Sequence, residues 1–231
     1  MIAGGIMNEF KNKIKNDWIQ EFSELSAYTN IRLYKIIGPL IVGLELLHVN
    51  FANGYRPHFA IYPLWKENIK ECFKIPIMFI EFKNFKHLQF SIAYEFHERL
   101  LFEVQECVKQ QLPFFLDGNI KLSEVIDALN KYEQMPPLSA APTSYLVGYL
   151  QEKILELAIC QNSEKDIQIM LDKINLSQWN SIHFKACKID LQNWLQKVNE
   201  KSLIKEELIA NINRNKLGKK IEKLKFSELL S

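Results

Sequence analysis

Between Ile31 and Leu64 the chain carries short apolar runs punctuated by turn residues; around that region apolar side chains recur every three or four positions. The first pattern predicts strands and the second helices. Ile31 to Ile37 and Leu40 to Val49 flank Gly38-Pro39, which predicts a hairpin whose glycine takes a positive φ. In the second run Leu40, Val42, Leu44 and Leu46 share one face, with Ile41, Gly43, Glu45 and Leu47 on the other. The Asn53-Gly54 turn leads into a third run, Pro57 to Leu64, with Pro57 as its first strand residue. Residues 65–74 predict one or two helical turns. Ile75 to Lys83 is apolar on both faces until Glu81, which predicts the buried central strand of the sheet.

Helical spacing precedes and follows these runs. Phe10, Ile14, Trp18, Phe22 and Leu25 predict an amphipathic helix over Asn8 to Ser26. Ile92, Phe96, Leu100, Val104, Cys107 and Val108 predict another over Ile92 to Gln111, after a short ambiguous run at Lys86 to Ser91. Pro113 to Leu116 reads as one further short strand, and strand signals end at Gly118. Ser123 to Tyr132 is helical, and Met135 to Thr143 is the one proline-rich stretch. Helices then follow over Ser144 to Cys160, Ser163 to Ile174, Ser177 to Asn199 and Ser202 to Leu217, each serine as an N-cap and Gly218 as the last stop. The expectation is an α+β protein: a mainly antiparallel sheet of four to five strands with flanking helices, then an all-α region. Its parts are an α+β domain at 1–134, a linker at 135–143 and a helical region at 144–231.

Composition narrows the function classes. At 231 residues and 48% hydrophobic, the chain has enough apolar material for a sizeable core. Its formal net charge of +2 gives no ground by itself for nucleic-acid or membrane binding. Four cysteines without a Cys-x-x-Cys pair predict reduced thiols rather than zinc ligands or disulfides. The longest greasy stretch, Ile36 to Val49, is broken by Gly38, Pro39, Gly43 and Glu45, so no membrane span is expected. Met1 to Ile6 is too short for a secretory core, and Met7 is an alternative start. The expected location is the cytoplasm, and frequent Lys, Ile and Asn with scarce Ala point to an AT-rich bacterial genome.

Three groups of residues offer chemistry. Glu81-Phe82-Lys83 places a carboxylate and an amine on one side of a strand end. The run Tyr55, Arg56, His58, Tyr62 and Trp65 is rich in the residue types that anchor protein interfaces; Tyr55, Arg56, His58 and Trp65 are its binding candidates. Arg214, Lys216, Lys219, Lys220 and Lys223, with Lys225, form a basic C-terminal run able to neutralise phosphates. No phosphate-binding glycine loop and no nucleophile elbow is present, with only eight glycines in all.

The order helix, antiparallel strands, Glu-x-Lys, long helix resembles the restriction-endonuclease-like PD-(D/E)xK superfamily, over roughly Asp17 to Leu116. That resemblance implies Mg²⁺ held by two carboxylates and a lysine that orients the attacking water. Arg56-Pro57-His58 and Ile80-Glu81-Phe82-Lys83 match its two motif segments, with His58 where the superfamily has Asp and Glu45 as the substitute second carboxylate. Glu81 and Lys83 would be the catalytic residues of such a nuclease. The leading expectation is instead a protein with no cofactor that binds another protein, as an immunity-like or accessory subunit. The alternatives are the Mg²⁺-dependent nuclease and nucleic-acid contact through the basic C-terminus.

Overall fold

The computed structural model describes residues 2–231, with side chains described from Phe10 onward. Met1, one of the two candidate starts, lies outside the described residues. The fold is α+β. Helix α1 (Ile2–Glu21) leads into β1 (Ser26–Thr29), β2 (Arg32–Ile37), β3 (Leu40–Val49) and β4 (Gly54–Pro63). A single turn α2 (Ile69–Cys72), β5 (Met78–Glu81), β6 (Ile92–Ala93) and the long α3 (His97–Gln111) follow. Next come β7 (Ile120–Lys121), α4 (Leu122–Glu133), α5 (Tyr145–Cys160), α6 (Glu164–Leu176), α7 (Ser181–Ala186), α8 (Leu191–Asn199) and α9 (Lys205–Lys216). Two short strands, β8 (Lys225–Ser227) and β9 (Leu229–Leu230), close the chain.

The main sheet runs β1-β2-β3-β4-β5, with β6 added beside β4 and β8 beside β2. The β2–β3 hairpin forms as the sequence predicts: Gly38 has φ +53°, and Ile37 pairs with Leu40. Strands β3 and β4 pair over ten residues, from Leu40 with Pro63 to Val49 with Gly54. They are buried on both faces along nearly all of that length, so the centre of the sheet lies here. The Ile75 to Lys83 run does not occupy it. Within that run β5 pairs only with β4, and Phe79 and Ile80 are half-buried. An apolar run shows that a strand is greasy on two sides; it does not show how many neighbours the strand has. Pro57 sits inside β4, opposite Leu46, rather than at its start. On the other edge of β4, pairing to β5 begins at His58 and pairing to β6 ends at Tyr55, so the proline falls in the gap between them.

Other boundaries shift for local reasons. Ile92 is in a strand, and α3 starts at His97 after a 3₁₀ turn over Tyr94–Phe96. Residues 113–116 are an irregular strap rather than a strand, with Phe114 and Leu116 buried. Ser177 ends α6 instead of opening a helix, and the stretch to Asn199 divides into two. Asn180 caps α7 through the N–H groups of Ile182 and His183, and Asp190 caps α8 through that of Asn193. Between them Lys188 takes φ +61°, which ends the first helix.

One sheet face is covered by α1 and α3, with Trp18, Phe22, Val104, Cys107 and Val108 buried. The ring of Phe73 covers part of the other face, 5.6 Å from Tyr34 and 5.2 Å from Tyr62. The later helices attach at one end of the sheet, to residues 64–79. Asn215 donates to the carbonyls of Leu64 and Lys66, Asn211 to Trp65, Tyr149 to Ile75 and Tyr132 to Phe79. The chain then returns to the sheet: β8 runs parallel to β2, Lys35 opposite Lys225, while β9 pairs with β7. Residues 135–143, proposed from composition as a linker, contain a 3₁₀ turn over Leu138–Ala140 whose Leu138 is buried.

This arrangement ranks two phenylalanines. Phe59, fully buried on β4, should cost about 3–5 kcal/mol when truncated to alanine. Half-buried Phe79 on β5 should cost about 1–2 kcal/mol, because less area leaves water there. Urea denaturation of both variants checks the order; equal losses would place β5 back at the centre.

Candidate functional site

Register builds the site. Arg32, Glu45, His58 and Glu81 oppose one another on β2, β3, β4 and β5, so one polar row crosses four strands on a single face. Glu45 is its buried middle. Its carboxylate accepts from the Tyr34 hydroxyl and, at 2.7 Å, from that of Tyr62, with Arg32 Nε 3.7 Å away. Burial, followed by the Glu45 charge, pushes both phenols well above their ordinary range, which keeps them protonated donors.

The other end of the row is more open. His58 stacks on Phe79 with ring centroids 4.8 Å apart, and its Nδ1 lies 3.2 Å from the Arg56 carbonyl. Its Nε2 is 3.7 Å from Glu81 Oε1, and an Arg56 amine is 3.9 Å from the same oxygen. Burial lowers the His58 pKa and outweighs the raising effects of the Arg56 carbonyl and Glu81. The Arg56 guanidinium also lies 5.6 Å from the ring of Phe51, a side chain 82% exposed. Arg32 Nε and Arg56 Nε are buried donors that meet no acceptor among the described residues.

The sequence candidates therefore separate. Arg56, His58, Glu81 and Glu45 come together. Tyr55 and Trp65 are each 1% exposed and belong to the interior: Tyr55 bonds Trp18 and His97, and Trp65 donates to Glu156. Lys83 is exposed beyond the end of β5, its backbone fixed by the Gln111 amide. Glu45 is occupied by two tyrosines and Glu81 faces His58 and Arg56. Among the described residues no three His, Cys, Asp or Glu side chains converge as a metal site. In the basic run Arg214 donates to the Glu67 carbonyl, Lys216 and Lys220 lie over Phe226 and Tyr28, and Lys225 reaches the Ser23 carbonyl. Lys219 and Lys223 are exposed.

A second charged group emerges that motif reading does not find. Lys153 and Glu156 on α5 are buried and 2.6 Å apart. Lys201 lies 2.6 Å from Glu156 and 2.7 Å from Glu152, and Trp194 donates to Glu152 at 2.9 Å. Burial alone would raise the Glu156 pKa, but Lys153, Lys66 and Lys201 hold its carboxyl well below the usual range. Burial and the nearby Lys153 lower Lys66 to about 8. The signal in the sequence is the placing of Glu152, Lys153 and Glu156 inside a helix whose other residues, Gln151 and Gly148 apart, are apolar or aromatic.

No protein-family model matches the chain, and neither the curated proteins nor the solved structures contain a match. Among the described residues no helix is long and apolar enough to cross a membrane.

Glu156→Gln should cost about 3–5 kcal/mol at neutral pH, since Lys153 stays buried with half its compensation gone. The sign with pH follows: a carboxylate depressed in the folded state contributes above its unfolded pKa, and that contribution fades on acidification. Denaturation of wild type and variant at pH 7 and pH 3 should show the gap narrowing; a constant gap would contradict the ion-pair account.

Proposed function

We propose that the chain acts without a cofactor, by binding another protein through the open end of the polar row. The supporting observation is Arg56: a guanidinium 5.6 Å from the ring of Phe51, a side chain 82% exposed. Arginine and aromatic side chains next to each other are the composition of interface anchors, and the Arg56 side chain keeps 23% of its surface open for a partner to cover. Glu81 Oε1 lies 3.9 Å from the Arg56 guanidinium and 3.7 Å from His58 Nε2. The partner chemistry that fits is a carboxylate for Arg56 with an apolar side chain for Phe51.

Support for the nuclease alternative is thinner. Glu45 and Glu81 do lie on one sheet face, but the PD-(D/E)xK pattern does not place its second carboxylate at Glu45; His58 stands between the two and Glu45 is already bonded.

The test compares affinity-tagged wild type with Phe51→Ala, a surface change, and Arg56→Ala, a partly buried one whose folding is checked by a thermal melt, in cells that express the protein. A stoichiometric protein partner should be retained by wild type and reduced about tenfold or more by either variant. Metal-dependent cleavage of DNA or RNA that Glu81→Ala abolishes would replace this reading with the nuclease.

A further inference from the structure

The opposite face of the sheet holds a cavity independent of the Arg56 surface. Lys35 on β2 points into that face with its side chain fully buried. Its ammonium donates to the Leu116 carbonyl at 2.6 Å and lies 3.6 Å from Glu24 Oε2. The strap after α3 is thereby anchored across the sheet and borders an open cavity of about 250 Å³. Phe22, Leu112, Phe115 and Leu116 make its apolar walls, and Glu24, Lys109 and Asp117 its polar edge.

Two features point to an occupant. Phe115 is 83% exposed although it forms a wall, so a ring seated against it would remove apolar surface from water. The charges at the edge do not cancel. Lys109 is engaged by Glu21 and, at 2.9 Å, by Glu106, and Lys35 lies beside Glu24. Three cations, Lys35, Lys109 and Lys225, stand near four carboxylates, Glu21, Glu24, Glu106 and Asp117, leaving an excess of one negative charge. An apolar cavity of about 150 Å³ accepts a benzene ring, so this one has room for a ring and a short arm.

We propose that the cavity binds an arylalkyl ammonium, its ring between Phe22, Leu112 and Phe115 and its charge between Glu24 and Asp117. The same chemistry is offered by a free aromatic amine and by the aromatic N-terminal residue of a peptide.

Calorimetric titration of the full chain with phenethylammonium chloride tests it. The expected dissociation constant is about 1 mM or below, as a ligand of this size allows. Phe115→Ala and Asp117→Asn alter exposed side chains, and their folding is checked by thermal melts. Each should weaken binding about three- to tenfold. Equimolar 3-phenylpropionate, of similar shape and opposite charge, should give no binding. Phenylalanyl-glycinamide binding more tightly than the free amine would identify a peptide N-terminus as the source, and the reverse order a small molecule. No binding up to about 20 mM, equal binding of the anion, or folded variants with unchanged affinity would overturn the proposal.

Discussion

Glu156 accepts hydrogen bonds from Trp65, Lys153 and Lys201, three groups far apart in the chain. Trp65 follows the central strand, Lys153 shares the Glu156 helix, and Lys201 precedes the last helix. A carboxylate taken out of water is tolerated only when its lone pairs are filled and its charge opposed, and here both conditions are met by residues from three segments. The position of the helical region on the sheet depends on that arrangement. Asn211 and Asn215 extend it with amide bonds to the carbonyls of residues 64–66, and β8 completes it by pairing with β2.

The polar row across the sheet obeys the same rule with a different result. Glu45 at its centre is filled by its own chain, through two tyrosines and Arg32. Arg56, beside its outer end, has an Nε with no acceptor among the described residues, as has Arg32 at the other end; what sets Arg56 apart is a setting that grades from buried His58 to exposed Phe51. Buried and satisfied polar groups specify a fold, whereas an arginine beside an exposed aromatic ring has the composition of an interface anchor. The proposed protein contact rests on that contrast within one row.

Much of the framework was legible in the sequence. Gly38-Pro39 and Asn53-Gly54 bracket β3, and the alternation of Leu40 to Leu46 places its two faces correctly. What failed was neighbour counting. The Ile75 to Lys83 run looks central by its apolarity, yet only the path of residues 64–77 decides that β5 meets β4 alone. Strands of two or three residues, such as β7, β8 and β9, are too short to show alternation and form because a partner edge is waiting. In the site, Arg56, His58 and Glu81 were each visible as candidates; their meeting depends on the β4–β5 register, which no local pattern encodes. Tyr55 and Trp65 have interface chemistry but hydrogen-bond partners in the interior, and composition does not distinguish the two uses.

The most direct test of the account concerns the nature of the His58–Glu81 pair. On a Mn²⁺ titration of labelled protein, the His58 ring and the Glu81 amide should keep their NMR intensities, because neither belongs to a metal centre. The same spectra followed with pH should show His58 protonating below the ordinary histidine value of about 6.5, as burial demands. Selective broadening of the His58 and Glu81 signals by low Mn²⁺ concentrations would contradict the account and make the row a metal site.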